Sequence, residues 1–365
     1  MKIAFINCFS YPIAGGTEIH VQKLAEYLVS KGHDVTCFSA DINREGEKVK
    51  PYEVINKVKI RRLKTSFRLG DFGVVFPSIF KEIKKLNPDI IHVHSYRHFF
   101  NIIPFFTKKP CVITPHWPNY PKGIRKSILL DWYVDIFDKV LGKKILNKFK
   151  KVLIVSGLEK EWLLHLGVKK EKIELTPNGI DSGFFRKYKK TYKKKRLLAL
   201  MLSRLHKSKG FDQLIKIASD FPEVDFIIAG VDAGFEDELK KLAKGKSNVK
   251  FIGKVNEKQR YELYSSADIF IHPSHYEAFG IVVVEAMSQN CAVLTSDSGG
   301  LPWVVDKAGL IFEDNNSKDL KEKLSKLVKD KKLRENLAEL GKKRAEIFTW
   351  KKTAEKVEKI FKDNS

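Results

Sequence analysis

Short apolar runs and amphipathic stretches alternate along almost the whole chain. Amphipathic stretches such as 17–30, 211–219 and 257–266 have the spacing of helices with one buried face. The apolar runs are short and rich in β-branched residues, which predicts strands. The predicted strands are 3–8, 35–39, 90–94, 111–114, 152–155, 173–175, 197–202, 225–229, 249–252, 269–272, 292–295 and 310–312.

Many of the predicted strands are apolar throughout and lack the alternation of a strand with one face in water. Such strands are typical of parallel sheets that are covered by helices on both faces. The chain has 365 residues, whereas single cores stop growing at roughly 250–300 residues. The sequence therefore predicts an α/β protein with two doubly wound domains.

A turn and a basic run separate the two halves. The turn is Pro177-Asn178-Gly179, and the run RKYKKTYKKKR follows it at 186–196. The run has few core residues and only two tyrosines, which favours a solvated linker over a nucleic-acid site. We place the hinge near 180–196, with domains at 1–180 and 181–349.

The composition is that of an ordinary globular protein, but the formal net charge is +24. This charge favours anionic partners such as nucleic acid, phosphorylated substrates or anionic membranes, although a lysine-rich surface without a partner explains it equally well. Four cysteines stand apart in apolar runs, which favours reduced thiols and a cytoplasmic protein. The first nine residues resemble a strand more than a signal peptide, and no apolar run reaches the roughly 18 residues of a transmembrane helix.

Ligands of open parallel sheets bind at the carboxyl ends of the strands, so the residues after each strand are candidate site residues. Gly15 and Gly16 follow the first strand and precede a helix, where backbone N–H groups bind anions. Arg204 and Lys209 follow the first strand of the second half, and this pair of cations suits a diphosphate. A structural turn is an equally good explanation of Gly15-Gly16, and a basic surface loop is an equally good explanation of Arg204 and Lys209.

The strongest chemical signal is the segment PSHYEAFGIVVVEAM at 273–287. Glu277 stands in a predicted loop, and Glu285 stands eight positions later on the helix that follows. The N–H groups at 279–281 can hold a phosphate at the start of this helix, and each carboxylate can accept sugar hydroxyls. A structural ion pair is the alternative for Glu285, because an unpaired charge is costly in an apolar run.

These motifs resemble those of the retaining GT-B glycosyltransferases of family 4. The pair Glu277 and Glu285 matches the E-x7-E element of that family, and further motifs recur in its order and spacing. These are Gly15-Gly16, DIIHVH at 89–94, PNGID at 177–181, Arg204 with Lys209-Gly210, and GGLP at 299–302. The resemblance implies two Rossmann-like domains that face each other across a cleft, with the last helix, 350–365, crossing back to the first domain.

The resemblance also implies roles for individual residues. Arg204 and Lys209 would bind the donor diphosphate and stabilise the charge that develops on the leaving group. Glu277 would hold the donor sugar, and Glu285 would bind the ribose. The other donor-binding or catalytic residues that it implies are Gly15, Gly16, His116, Phe279, Gly280 and Ile281. A structural histidine is the alternative for His116, and Trp303 stands where the family usually has Glu.

The implied activity is transfer of a sugar from a nucleoside-diphosphate sugar to a glycan, lipid-linked or small-molecule acceptor. The resemblance implies a hexosyltransferase that retains the anomeric configuration, uses UDP more commonly than GDP, and needs no metal or other cofactor. The sequence agrees, since it has no Asp-x-Asp and no His/Cys/Asp group at ligand spacing. The alternatives are a sugar-nucleotide epimerase of the same fold and a basic nucleic-acid-binding protein, for which no RNA- or DNA-binding motif is present.

The segment 122–151 combines aromatic and aliphatic residues with nine basic residues. We hypothesise that part of it lies on an anionic membrane and delivers a lipid-linked acceptor. Packing against the sheet is the alternative. The expected location is therefore the cytoplasm, with peripheral binding to the cytoplasmic membrane face under this hypothesis.

Overall fold

The computed structural model describes residues 1–13, 15–69, 73–116, 128–192 and 196–365, with only the backbone for 128–130. Residues 122–127 of the segment proposed to touch a membrane lie outside the described residues. The same holds for 193–195 of the basic run.

The strands are numbered in chain order over the described residues. They are β1 (Lys2–Ile6), β2 (Asp34–Ala40), β3 (Tyr52–Ile55), β4 (Val58–Leu63), β5 (Phe67–Leu69), β6 (Gly73–Val75), β7 (Ile90–His94), β8 (Cys111–Thr114), β9 (Lys151–Ile154), β10 (Ile173–Leu175), β11 (Leu197–Leu202), β12 (Val224–Ala229), β13 (Val249–Gly253), β14 (Ile269–His272), β15 (Ala292–Ser296) and β16 (Gly309–Phe312). All predicted strands are present, with ends that differ by at most two residues.

Strands β3 to β6 were not predicted. β3 and β4 form an antiparallel hairpin whose two-residue turn, Asn56-Lys57, has positive φ at both positions. Charged and apolar residues alternate in this hairpin, because it lies at the edge of the sheet and one face is in water. A search for continuous apolar runs therefore passes over it.

The helices are numbered in the same way. They are α1 (Gly16–Ser30), α2 (Ile79–Leu86), α3 (Ile128–Phe137), α4 (Lys143–Leu146), α5 (Glu159–His165), α6 (Phe211–Ile217), α7 (Glu236–Leu242), α8 (Glu257–Ser266), α9 (Ile281–Ser288), α10 (Leu301–Val305), α11 (Ser317–Lys329), α12 (Lys331–Ala345) and α13 (Trp350–Asn364). A π-helical turn, Asp138–Gly142, joins α3 to α4.

The chain divides into two compact units, and the N-terminal unit comprises Met1–Asn178 with Trp350–Ser365. Its main sheet has the order β10-β9-β8-β7-β1-β2-β4-β3 and is parallel except for β3. Apolar clusters cover both faces of this sheet, and α13 contributes Val357 and Phe361 to one of them. The strand order reverses direction at β1, which places the switch point of this sheet between β1 and β7.

The C-terminal unit, Gly179–Thr349, contains a fully parallel sheet of order β13-β12-β11-β14-β15-β16. Counted from β11, this is the 3-2-1-4-5-6 order of a Rossmann fold, with the switch point between β11 and β14. The prediction of two doubly wound α/β domains is therefore confirmed. The ring of Tyr188, in the basic run, stacks on Tyr261 at 4.5 Å, so the described part of that run packs onto the C-terminal unit.

Candidate active site

The loops after β11 and β14 meet at the switch point of the C-terminal unit. Gly210 ends the first loop with φ +63°, and a Cβ at this residue would stand 1.9 Å from the carbonyl oxygen of Pro273 in the second loop. The hydroxyl of Ser274 donates to the carbonyl oxygen of Ser208 at 3.1 Å. These contacts hold the first loop against the loop that carries Glu277.

The Glu277 carboxylate connects the two loops. Its Oε2 accepts hydrogen bonds from Lys209 Nζ at 2.7 Å and from His272 Nε2 at 3.0 Å, and only 20% of its side chain is exposed. Burial by itself raises the pKa of Glu277, but the Lys209 ammonium and the His272 hydrogen bond outweigh it and hold the pKa well below its usual range. The carboxylate is therefore ionised at neutral pH and fixed in position.

A third loop, after β15, contacts the backbone of Glu277. The N–H group of Gly300 donates to the Glu277 carbonyl oxygen at 2.8 Å. Gly299 has φ +57°, and a Cβ at this residue would stand 2.0 Å from that same oxygen. The GGLP segment therefore positions the Glu277 loop, and a side chain at Gly299 would force the two loops apart.

The helix after the Glu277 loop, α9, begins with unused amide groups. The N–H groups of Phe279, Gly280 and Ile281 make no hydrogen bond within the described part of the chain. The Phe279 side chain is buried and packs against Trp303 and Phe348, at ring distances of 6.4 and 5.3 Å. Trp303 thus packs against another ring of the same unit. The first turn of α9 presents free backbone N–H groups, which suit an anion.

Arg204 and Lys209 have different surroundings. Lys209 is paired with Glu277, whereas Arg204 is exposed and has no ionic partner among the described residues. The structure therefore brings Lys209 and Glu277 together and leaves the Arg204 guanidinium open to an anion.

Glu285 lies in a buried network of its own. Its Oε2 accepts a hydrogen bond from the Tyr264 hydroxyl at 2.9 Å, and its Oε1 lies 3.5 Å from the Arg260 guanidinium. Burial raises the pKa of Glu285, and the Arg260 charge and the Tyr264 hydrogen bond oppose this shift only in part. Both carboxylate oxygens thus have protein partners, as in the ion pair considered above, and ribose binding stays a prediction.

The two glycines at the start of α1 differ in their packing. A Cβ at Gly15 would stand 2.0 Å from Glu18 Oε2, on a carboxylate that is ion-paired with Arg44 at 2.9 Å. A Cβ at Gly16 would meet no atom of the described residues within 4 Å. Packing therefore explains Gly15, whereas the open space beside Gly16 leaves room for a ligand.

His116 lies just beyond β8, half-buried, with φ +58°. Its Nε2 lies 3.1 Å from Nδ1 of His94, the last residue of β7. Burial lowers the pKa of His116 well below its usual value, and the neighbouring His20 adds to the shift. The imidazole is therefore neutral at pH 7.

Two site histidines were not predicted, namely His272, the partner of Glu277, and His94, the partner of His116. Each is the last residue of a central strand beside a switch point. A histidine that ends an otherwise apolar strand is the signal that identifies both positions.

Solved structures share this fold over the whole chain. Sucrose-phosphate synthase from Thermosynechococcus elongatus superposes with a TM-score of 0.81 at 19% identity, covering 99% of this chain and 98% of the other. Anabaena HepE in complex with UDP-glucose superposes with a TM-score of 0.75 at 20% identity, covering both chains completely. The fold is therefore that of the GT-B glycosyltransferases, with two Rossmann-like domains.

Family models match most of the chain. Residues 14–184 match the model described as Glycosyltransferase Family 4, and residues 184–344 match that described as Glycosyl transferases group 1. The chain belongs to the group 1, family 4, glycosyltransferases.

Two relatives align with nearly all of the chain. An uncharacterized glycosyltransferase of Methanocaldococcus jannaschii is 27% identical over 99% of this chain and 98% of its own length. The phosphatidyl-myo-inositol mannosyltransferase of Mycolicibacterium smegmatis is 24% identical over 99% and 93%. No helix in the described ranges is both long and apolar enough to cross a bilayer.

The Lys209→Met variant is expected to reverse the pH dependence that Glu277 contributes to stability. In the wild type, the lowered pKa gives stability that is full above the unfolded value of about 4.3 and is lost only as the pH falls through the lower folded value. Without the ammonium, His272 alone opposes the effect of burial, and we expect burial to prevail and to raise the pKa of Glu277. Stability then falls by about 1.4 kcal/mol per pH unit as the pH rises from the unfolded pKa to the raised folded pKa. Urea unfolding from pH 4 to 8 measures this pH dependence of the free energy of unfolding.

Lys207→Met is the control for the Lys209→Met variant. Parallel pH profiles of Lys209→Met and wild type would contradict the role given to Lys209.

Proposed function

We propose that this glycosyltransferase transfers a hexosyl group from a nucleoside-diphosphate sugar, with retention of configuration and without a metal. The observation that carries this proposal is the ionised Glu277, which lies at the switch point with Lys209 and is followed by the unused amides of α9. Cations and amide donors suit a diphosphate, and a fixed carboxylate suits sugar hydroxyls. The family matches favour this reaction over the epimerase alternative.

In this mechanism the leaving group is the nucleoside diphosphate. Negative charge grows on it as the glycosidic bond breaks, and Arg204, Lys209 and the start of α9 stabilise that charge from fixed positions. These groups take over the role that a metal has in other transferases. His116 is proposed to contact the sugar as a neutral imidazole, and the donor roles of Gly15 and Glu285 remain predictions.

Arg204→Ala is expected to lower turnover by about 10²–10³, because one charge partner of the leaving group is lost. Lys207→Ala, an exposed lysine on the same loop, is the control. Unchanged turnover in Arg204→Ala, with Lys207→Ala also unaffected, would refute the leaving-group assignment.

UDP-glucose is the first donor to test, since a structural neighbour binds it, and GDP-glucose is the comparison. In thermal unfolding of the wild type, the correct donor at about 100 times its Kd is expected to add about 2.7 kcal/mol to the free energy of unfolding.

Gly16→Ala separates packing from ligand binding at the start of α1. Alanine at this position would contact none of the described residues, so stability is expected to stay constant or to rise by up to about 1 kcal/mol. If the donor approaches this backbone, the added methyl group lowers turnover by at least about tenfold. Thermal unfolding and initial rates of both Gly16→Ala and the control Thr17→Ala measure the two effects. Full activity in a stable Gly16→Ala protein would exclude Gly16 from the donor site.

A lipid-linked acceptor at an anionic membrane is the second part of the proposal. The helix formed by α3, the π-turn and α4 exposes Trp132, Ile136 and Val140, which stand four residues apart and share one face. Arg97 holds this helix through Asp138, with hydrogen bonds of 2.9 and 2.5 Å. Exposed lysines accompany the apolar face, namely Lys139, Lys143, Lys144 and Lys148.

An exposed face with aromatic, aliphatic and basic residues suits the interface of an anionic bilayer. The names of two relatives point the same way, since one transfers mannose to phosphatidyl-myo-inositol and another is a phosphatidylinositol N-acetylglucosaminyltransferase subunit. Relatives at 23–24% identity support an acceptor class and leave the individual lipid open.

The triple variant Trp132→Ser/Ile136→Ser/Val140→Ser is expected to lose binding to anionic vesicles. Sedimentation with phosphatidylglycerol vesicles at low salt measures binding, and neutral phosphatidylcholine vesicles give the comparison. Val54→Ser/Ile347→Ser removes exposed aliphatic groups elsewhere and should bind as the wild type does. Absence of wild-type binding, or equal loss in both variants, would remove the membrane from the proposal.

A further inference from the structure

Three histidine rings meet at the switch point of the N-terminal unit. His94 ends β7, His116 follows β8, and His20 lies on α1. The ring centroids form a nearly equilateral triangle with sides of 4.9 Å (His20 to His116), 5.4 Å (His94 to His116) and 5.5 Å (His20 to His94). Nothing in the proposed transfer reaction requires such a triangle, because it uses His116 alone.

The triangle has the dimensions of three imidazoles around one metal ion. Imidazole nitrogens bind zinc at about 2.0–2.1 Å, so in a tetrahedral site the nitrogens are about 3.3 Å apart and the ring centroids about 5 Å apart. Nδ1 of His94 and Nε2 of His116 are 3.1 Å apart, and one nitrogen from each of the three rings lies within 4.8 Å of the others. The 3.1 Å pair is a hydrogen bond between His94 and His116, which a bound ion would replace.

The protonation state of the cluster also suits a metal. Burial lowers the pKa of His20 to about 4 and holds the pKa of His94 and His116 well below the usual value. All three rings are therefore neutral at pH 7 and keep a nitrogen lone pair for an ion.

Two nitrogens of the cluster lack a partner. Nε2 of His20 and Nε2 of His94 are buried without a hydrogen bond in the described structure, and both residues are at most 1% exposed. In His94 it is the other nitrogen, Nδ1, that faces His116. Nδ1 of His20 lies 2.6 Å from the Asn178 side-chain oxygen, which fixes the ring with its Nε2 free. An oxygen acceptor on the ring nitrogen that faces away from the ion is typical of metal-binding histidines.

We propose that His20, His94 and His116 bind one divalent ion of the late first transition series, with zinc as the representative, and that this ion inhibits the enzyme. Three neutral imidazoles favour zinc, nickel or copper over magnesium and calcium, which prefer oxygen ligands. The inhibition rests on the function proposed for His116, because a divalent ion on this ring fixes its orientation and places positive charge beside the sugar that the ring is proposed to contact. The binding itself does not depend on that function.

Zinc binding by the full chain tests the site directly. After treatment with a chelator, equilibrium dialysis is expected to give one zinc per chain, and Co²⁺ should produce the visible absorption bands of a tetrahedral site. His116→Asn is the mildest ligand variant, since asparagine tolerates positive φ, and it is expected to bind zinc at least about 100-fold more weakly. His94→Asn should show the same loss, whereas His165→Asn, an exposed histidine in the same unit, should bind as the wild type does.

The absence of stoichiometric zinc in the wild type would overturn the proposal, as would undiminished binding in folded His116→Asn and His94→Asn. Circular dichroism establishes that the variants are folded. In the transfer assay, zinc is expected to inhibit the wild type over the concentration range in which it binds, and a chelator is expected to restore activity. Zinc binding without inhibition would refute the inhibitory role and the assignment of His116 to the sugar, while the metal site itself would stand.

Discussion

The candidate active site of the C-terminal unit depends on one buried, ionised carboxylate. Removing Glu277 from water is costly unless cations and donors surround it, so Lys209 and His272 reach it from the ends of two neighbouring strands. The Glu277 backbone carbonyl packs closely against the Gly299-Gly300 turn and accepts a hydrogen bond from the Gly300 N–H group. These requirements fix three loops at once. In the described structure of these loops, the Arg204 guanidinium and the first α9 amides have no protein partner and can bind an anion.

The side chains at the two switch points differ in charge. In the C-terminal unit, the strand ends carry an ion pair with an exposed arginine beside it. In the N-terminal unit, burial keeps His20, His94 and His116 neutral by lowering the pKa of each. Charge of both signs suits a diphosphate sugar. Neutral imidazoles offer lone pairs, which explains why the second cluster suits a divalent ion such as zinc.

Much of the fold could be predicted, because the central strands of a parallel sheet are apolar on both faces and therefore stand out in the sequence. The β3–β4 hairpin could not be predicted in this way, since one of its faces is in water and its residues alternate. The residues of the site that directly follow a strand could be predicted, whereas their side-chain partners could not. Glu277, Lys209 and Gly16 each follow a strand, but the pairing of Glu277 with His272 and the enclosure of Glu285 by Tyr264 depend on side-chain packing.

The sequence by itself determined the two α/β domains, the loops that carry chemistry and the family, because each of these is written in short stretches of consecutive residues. Tertiary structure decided which side chains meet. The spacing of residues in the sequence showed no metal-binding group, yet His20, His94 and His116 come within 4.8 Å of one another. The reason is topological, since the adjacent parallel strands β7 and β8 bring His94 and His116 together, and α1 adds His20.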